Sequence, residues 1–393
     1  MSVTAAEGWM AAGLRAGTKP SGDLDLALVW SEHPAVVTGA FTTSRVPSAH
    51  VTLCRPVVSS GKARSVLVSA GIANAFTGAA GLEDAKVLTE AAALATGTPS
   101  DEMLMCATGT IGPRLPVDVL LPEIEQVSKA LSIEGGADAA AAILTTDTKP
   151  KMSTRAVTIG GRLVTVGGMA KGAGMIAPKM EPQATLLVFL TTDAAIGPEA
   201  LRDVLSPFVE TTFNAVTIDG CMSTSDTLLL FANGASGIDT EGSGDFANAV
   251  YEVMAELAYA VVADGEGATR VIRVQVRGAA SADDAREAAR EIAHSDLLRA
   301  AVYGNDPNLG RIVQAIGQAP VQVNPELINV SMAGIELSRG GVETERRGEA
   351  AKALAEGGDA VIEVDMGLGT GSFEFLTCDL TPEYVTFNAE YTT

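Results

Sequence analysis

Histidine and cysteine, the side chains that most often bind transition metals, are scarce in this 393-residue chain. The three histidines stand at positions 33, 50 and 294, and the four cysteines at 54, 106, 221 and 378, with no CxxC pair. These spacings do not match a zinc site, so no metal is expected. Free buried thiols in a reducing compartment are the better interpretation of the cysteines.

Basic residues are also few, since 27 lysines and arginines face 48 aspartates and glutamates and the formal net charge is −21. Without a pool of cations to neutralise phosphates, nucleic acid is not an expected partner. The N-terminal segment lacks the regions of a secretory signal, and no apolar run approaches the roughly 18 residues of a membrane span. We therefore expect a soluble cytoplasmic protein without a membrane partner.

The order of predicted elements is typical of the α/β (α+β) class. Strands and helices alternate without a strict βαβ rhythm, with a helix over residues 82–96 and a buried strand over 186–190. We also predict a hairpin or paired strands within residues 19–45, a short strand over 51–54 and one helix over 283–301. A chain of this length exceeds one ordinary core. The break after Gly278 predicts a main domain over residues 1–278 and a smaller one over 279–393.

Residues 170–192 join a segment rich in glycine and proline to an apolar strand, and Thr185 stands at the junction. One interpretation makes Thr185 a structural strand-starting residue. The other makes it a nucleophile in a chain that cleaves itself between Ala184 and Thr185. The new α-amine, with a pKa of roughly 8, would then accept the proton of the hydroxyl on the same residue.

Two further segments offer partners for such chemistry. The TGTIG segment at 108–112 supplies a hydroxyl and glycine amides after a strand, the composition of an oxyanion hole, although a tight turn fits equally well. Glu266 in DGEG is either a ligand for a substrate ammonium or a loop residue at a helix end. The KGAGM segment at 171–175 lacks the Walker pattern, so it is not interpreted as a nucleotide loop.

Nine motifs, in order over nearly the whole chain, carry a family resemblance. They are KPSGDLDLAL (19–28), ATGTIG (107–112), TTDTKPK (145–151), KGAGMIAP (171–178), ATLLVFLTTDA (184–194), STSDT (223–227), DGEG (264–267), GNDPNLGR (304–311) and NAEYTT (388–393). With these motifs the chain resembles the ornithine acetyltransferase family, the bifunctional glutamate N-acetyltransferases of arginine biosynthesis.

The resemblance implies an activity and an order of events. A precursor would cleave itself between Ala184 and Thr185 into α and β chains. Thr185 would then take an acetyl group from N-acetylornithine and pass it to glutamate by a ping-pong route. No cofactor is implied, and acetyl-CoA would be a further acetyl donor in the bifunctional case.

The resemblance also implies site residues and a fold. Thr108 and Gly109 would form the oxyanion hole. Substrate contacts would come from Thr146, Lys171, Thr185, Glu266, Asn388 and Thr393. The related fold is a layered β-sheet sandwich flanked by helices, with a smaller C-terminal α/β domain. Its α and β chains usually associate into an oligomer of several αβ units.

The chain departs from the family pattern at three places. Residues 181–183 intervene between Met180 and Ala184, Phe76 replaces a cysteine, and Leu309 replaces a tryptophan. Three alternatives to the transferase therefore stay open. They are a hydrolase (aminopeptidase or amidase) on the same self-cleaving scaffold, an acyltransferase of a specialised pathway, and an uncleaved binding protein.

Overall fold

The computed structural model describes residues 2–177, 179–181 and 186–390. Contacts between Cα atoms divide them into two compact units. The first unit comprises the chain up to Asn214 together with Cys221–Val261, and the second comprises Ala215–Gly220 and the chain from Val262 onward.

The first unit contains ten strands and six helices within the described ranges. Its strands are β1 (Trp9–Leu14), β2 (Leu26–Ser31), β3 (Val36–Thr42), β4 (Ser65–Ile72), β5 (Met103–Thr110), β6 (Lys151–Ile159), β7 (Arg162–Lys171), β8 (Met180–Glu181), β9 (Leu187–Thr192) and β10 (Thr227–Ala232). Its helices are α1 (Ala49–Ser60), α2 (Gly78–Thr96), α3 (Val117–Lys129), α4 (Gly136–Ala142), α5 (Pro198–Thr211) and α6 (Gly244–Ala263), the last of which ends just past the boundary.

Two sheets of the first unit form a sandwich. One sheet has the strand order β1-β2-β4-β5 and the other has the order β6-β7-β9-β10-β3-β8. Alternate residues of the two sheets, such as Val68 of β4 and Phe189 of β9, are fully buried in one shared core. Leu67, on the opposite face of β4, packs instead in the core that contains Leu88 of α2. The predicted helix-flanked sandwich is therefore confirmed.

Helix α6 covers the outer face of the second sheet. By length and composition alone it could cross a membrane, but side chains such as Val253 and Leu257 are buried inside the protein. A side chain at Gly168 of β7 would come within 2.9 Å of Leu257 and 3.0 Å of Val253, so the helix lies directly on the sheet. Glu256 accepts a hydrogen bond of 2.6 Å from the hydroxyl of Ser153. We therefore assign α6 to the core of the first unit.

The second unit is built on one six-stranded sheet with the order β14-β13-β12-β15-β11-β16. Its strands are β11 (Val271–Ala279), β12 (Asn329–Met332), β13 (Ile335–Arg339), β14 (Val342–Glu343), β15 (Ala360–Asp365) and β16 (Gly371–Cys378). Its helices are α7 (Ala282–Ala293), α8 (Asp296–Tyr303), α9 (Leu309–Gln318), α10 (Arg347–Ala355) and α11 (Pro382–Glu390). Strand β11 pairs with β15 and β16, so it belongs to this unit, whereas the predicted boundary after residue 278 lies at its end.

Three element predictions were wrong. Residues 51–54 lie in helix α1, where Val51 and Cys54 reach the core at helical spacing, because a short apolar run does not distinguish a strand from a helix. Residues 283–301 form two helices, since Ser295 caps α8 by accepting from the N–H of Leu298. The predicted hairpin or pair of strands within residues 19–45 does not form either, because β2 and β3 belong to different sheets.

Candidate active site

Lys171 is the last residue of β7, and its backbone pairs with Leu187 at the start of β9. Its side chain lies inside the protein, with only 7% of the residue exposed. The ammonium nitrogen donates to Oγ1 of Thr108 over 3.5 Å. The structure therefore brings together two of the predicted site residues, beside the strand that follows Thr185 in the chain.

Gly109 follows Thr108 at the end of β5, where no side chain fits. Its φ angle is +127°, in the region that favours glycine. A Cβ atom there would also lie 2.2 Å from the carbonyl carbon of Gly71, the residue that pairs with Gly109 on β4. The backbone is therefore bare next to the Thr108 hydroxyl and the Lys171 cation, the composition that an oxyanion hole needs.

Asp147, in the loop after α4, forms hydrogen bonds with Lys151 and with the backbone next to Lys171. Its Oδ1 atom accepts hydrogen bonds of 2.6 Å from Nζ of Lys151 and from the N–H of Gly172, and Oδ2 accepts from the N–H of Thr145. The side chains of Asp147 and Lys151 are 0% and 1% exposed. Burial alone would raise the pKa of Asp147, but the charges of Lys171 and Lys151 and these hydrogen bonds lower it to about 2. The carboxylate is therefore ionised and holds the backbone beside Lys171.

Lys19 adds a third cation on the same side. Its ammonium nitrogen donates to the carbonyl oxygen of Ala142 over 3.3 Å. Burial lowers the pKa of Lys19, as does the nearby charge of Lys171, against the opposite effect of Asp25 and Asp147. Lys19, Lys151 and Lys171 thus place three cations near one another, with the carboxylates of Asp23, Asp25 and Asp147 beside them. A substrate that carries a carboxylate could bind to a cation of this cluster.

Asp147, Lys151 and Lys19 were not among the predicted site residues, although all three lie within the TTDTKPK and KPSGDLDLAL motifs. The signal that marks Asp147 and Lys151 is the spacing of opposite charges four residues apart in an otherwise polar segment. Thr146, a predicted substrate contact, is half-buried next to Asp147.

Two predicted residues of the second unit meet each other. Nδ2 of Asn388, on α11, donates to Oε2 of Glu266 over 3.0 Å. The helix is held at its start by Thr381, whose hydroxyl donates to the carbonyl oxygen of Gly267 over 2.8 Å. A Cβ at Gly267 would lie 2.5 Å from the backbone nitrogen of Tyr384, so glycine permits this close approach. The polar C-terminal segment is therefore a helix docked against the DGEG loop.

Ala184, Thr185 and Thr393 lie outside the described residues. The described ends around residues 182–185 belong to one sheet, because β8 pairs with β3 and β9 pairs with β10, which itself pairs with β3. Glu181 and Leu187 are therefore three strand spacings apart across the sheet, about 14 Å.

Among the described residues, no group of three or more His, Cys, Asp or Glu side chains is arranged to hold a metal ion. None of the described cysteines is in a disulfide, and Cys54, Cys106 and Cys378 are buried. Burial raises the pKa of the Cys106 and Cys378 thiols, so neither is activated as a nucleophile.

Comparisons with known proteins agree over the whole chain. The model of the ArgJ family matches residues 10–393. A protein of Mycolicibacterium paratuberculosis named arginine biosynthesis bifunctional protein ArgJ is 44% identical, over 99% of this chain and 96% of its own length. A protein of the same name from Parasynechococcus marenigrum is 42% identical, over 100% of this chain and 95% of its own.

A solved structure extends the comparison to three dimensions. The crystal structure of the arginine biosynthesis bifunctional protein argJ of Bacillus halodurans is 36% identical, with a TM-score of 0.50. The match covers 52% of this chain and 98% of that one. The resemblance carried by the nine motifs is confirmed: this chain belongs to the ArgJ family.

Proposed function

We propose that this chain is an acetyltransferase of arginine biosynthesis that moves an acetyl group from N-acetylornithine to glutamate. Between the donor and the acceptor step, the acetyl group is held as an ester on Thr185. Thr185 becomes an N-terminal residue when the chain cleaves itself after Ala184. Family membership supports the pathway, since the relatives are named as arginine biosynthesis bifunctional proteins.

The observation that carries the proposal is the contact between the Lys171 ammonium and the Thr108 hydroxyl beside β9. Lys171 is buried and sits next to Leu187, two residues after Thr185. An acyl group on Thr185 needs donors for its developing oxyanion, and Thr108 with the bare backbone at Gly109 supplies that chemistry. A substrate carboxylate needs a cation, and Lys171 supplies it.

The self-cleavage uses the same groups. Oγ1 of Thr185 attacks the carbonyl carbon of Ala184, the peptide C–N bond breaks, and the hydroxyl proton passes to the nitrogen, which leaves as the α-amine of Thr185. Water then hydrolyses the resulting ester, which frees the carboxylate of Ala184 and restores the hydroxyl.

Acetyl transfer follows in two steps. In the first, the α-amine accepts the hydroxyl proton as Oγ1 attacks the acetyl carbon of N-acetylornithine, and ornithine leaves as an amine carrying that proton. In the second, the amine of glutamate attacks the ester, gives up one proton, and Thr185 regains its hydroxyl.

The strand order supports an association of the two fragments after the proposed cleavage. Reading across the second sheet, β6 and β7 come from the part before Thr185, β9 and β10 from the part after it, and β3 and β8 from the part before it again. Separating the fragments would break the β7–β9 and β10–β3 pairings. We therefore propose that the α and β chains remain one folded unit and that further copies assemble from such units.

Acetyl-labelled N-acetylornithine tests the function when the products are followed by NMR with and without glutamate. We expect N-acetylglutamate to form faster than free acetate. Release of acetate at one rate regardless of glutamate would replace the transferase with the hydrolase. A Thr185→Ala variant is the control, because it should stay whole and catalyse neither reaction.

The same assay separates the remaining possibilities. Acetyl-CoA in place of N-acetylornithine tests whether it is a second donor, and no bound cofactor is required by the proposed steps. Ornithine analogues that carry other acyl groups test the alternative of a specialised pathway. We place the reaction in the cytoplasm, where these amino-acid substrates are made.

A further inference from the structure

His50 is a fully buried imidazole in the first turn of α1 that the proposed steps do not use. Its Nδ1 atom accepts a hydrogen bond of 3.3 Å from the backbone N–H of Ala107. Its Nε2 atom lies 3.2 Å from the carbonyl oxygen of Ser225 and 3.2 Å from Oγ1 of Thr227. One ring thus contacts strand β5 of the first sheet and the start of β10 in the second.

The partners of His50 fix its chemical form. A backbone N–H can only donate, so Nδ1 carries no proton and the neutral ring carries its proton on Nε2. Burial lowers the pKa of His50 to about 4, although the bond to Ser225 acts in the opposite direction. The neutral tautomer that makes both contacts is therefore the form present at neutral pH.

Helix α1 covers an open strand edge at this point. Strand β5 is the last strand of its sheet, so the outward backbone groups of Met105 and Ala107 have no strand partner. His50 accepts from the N–H of Ala107, and Sγ of Cys54, one turn further along α1, donates to the carbonyl oxygen of Met105 over 3.1 Å. The helix therefore fixes the position of β5 where that strand approaches the proposed oxyanion hole.

The Nε2 side of the ring is connected through hydrogen bonds to Leu186, the residue that precedes β9. The N–H of Thr227 donates to the carbonyl oxygen of Leu186 over 2.7 Å, and Leu186 follows Thr185 in the chain. The hydroxyl of Ser48, which precedes α1, lies 2.7 Å from that of Ser225 and holds the same segment. The STSDT motif thus connects His50 to the residue after Thr185.

We propose that His50 is a positioning residue, which sets the distance between the oxyanion hole at Thr108 and Gly109 and the nucleophile at Thr185. It does so through Ala107 on one side and through Thr227 and Leu186 on the other. The inference rests on the proposed function, and it adds a residue that touches neither substrate nor reacting atoms. A displacement of about 1 Å between such groups can cost about 100-fold in rate.

Three substitutions separate positioning from mere packing. His50→Leu fills the space and removes the hydrogen bonds of both ring nitrogens. His50→Asn keeps an acceptor near the Nδ1 position, and His50→Gln keeps a donor near the Nε2 position. We expect His50→Leu to lower kcat by about 100-fold with KM within about twofold, and the two amide variants to restore part of the loss. The exposed His33→Leu variant is the matched control.

A folded His50→Leu variant with wild-type kcat would overturn the proposal, as would equal losses in all three variants. If His50→Leu does not fold, the partial activities of the asparagine and glutamine variants still decide. Nitrogen NMR of the wild-type protein gives a separate answer, since we expect the proton on Nε2, and a proton on Nδ1 would remove the bridge. Wild-type protein that makes no N-acetylglutamate would instead refute the proposed function, whatever the tautomer.

Discussion

The ammonium nitrogen of Lys171 lies 3.5 Å from Oγ1 of Thr108, although 63 residues separate them in the chain. The contact joins the ends of β7 and β5, which belong to different sheets of the sandwich. It gives the first unit a buried cation next to a hydroxyl and a side-chain-free backbone, beside the strand that follows Thr185.

Replacing Lys171 tests the value of that cation. We expect Lys171→Met to lower kcat/KM for N-acetylornithine by about 100-fold, because the cation for the substrate carboxylate and a donor beside the oxyanion are lost together. Steady-state kinetics measure the effect. Lys129→Met removes an exposed lysine of α3 that pairs with Glu125, and it should change kcat/KM by less than about twofold. Equal effects of the two substitutions would contradict the role of Lys171.

Two glycines of the TGTIG segment allow the cost of a positive φ angle to be distinguished from the cost of a steric clash between an added side chain and its neighbours. Both Gly109 and Gly112 have positive φ angles, +127° and +110°. A side chain at Gly109 would collide with Gly71, whereas a side chain at Gly112 would meet nothing within 4 Å. We expect Gly109→Ala to abolish acetyl transfer and Gly112→Ala to lower stability by only about 1 kcal/mol while activity remains. Full activity of a folded Gly109→Ala variant would contradict the proposed oxyanion hole.

Asp147 is expected to matter for stability as well as for activity. Asp147→Asn removes the charge that bonds Nζ of Lys151 and interacts with the charge of Lys171, so we expect the free energy of unfolding to fall by about 3 kcal/mol. Chemical denaturation measures the change. The double variant Asp147→Asn/Lys151→Met should recover part of the loss, because the buried cation that bonded Asp147 is removed as well.

The same carboxylate gives a pH dependence. The pKa of Asp147 in the folded state is about 2, below the usual 3.8. The folded protein therefore binds fewer protons here than the unfolded chain does, and the stabilisation is complete above pH 3.8 and is lost as the pH falls toward 2. The difference between wild type and Asp147→Asn should shrink over that window, and a constant difference would contradict the ionised state.

A substitution at Glu266, which pairs with Asn388, tests whether the second unit binds a substrate ammonium. Glu266→Gln keeps a hydrogen-bonding partner for Asn388 but removes the charge that would bind a substrate ammonium. We expect KM for the amino-acid substrate to rise by about tenfold with a smaller change in kcat. Glu383→Gln, in the exposed first turn of α11, is the control that should leave KM unchanged. A rise in KM in both variants would indicate damage to the helix rather than loss of a ligand.

The fold was largely predictable where the local pattern was strong. The apolar run at 186–190 became β9, and the helix expected over 82–96 became α2, which ends at Gly97 in the left-handed conformation. The strand predicted over residues 51–54 was wrong, because four residues are too few to show whether apolar side chains repeat every two residues, as in a strand, or every 3.6, as in a helix. The error mattered, since α1 carries His50.

The site was predictable only in part, and for a physical reason. Thr108 and Lys171 were predicted as site residues from their motifs, but a motif does not show which side chains are in contact. The hydrogen bonds from the N–H of Gly172 to Asp147 and from the N–H of Ala107 to His50 join positions 25 and 57 residues apart, and they depend on how distant segments pack. Residues that orient a site through such distant contacts leave no periodic signal in the sequence.

The most direct test of the central claim is the intact mass of the purified protein after incubation with N-acetylornithine in the absence of glutamate. The account predicts two fragments, residues 1–184 and 185–393, with one acetyl group on Thr185 of the second fragment that disappears when glutamate is added. A single uncleaved chain that still makes N-acetylglutamate, or an acetyl group on another residue, would contradict it.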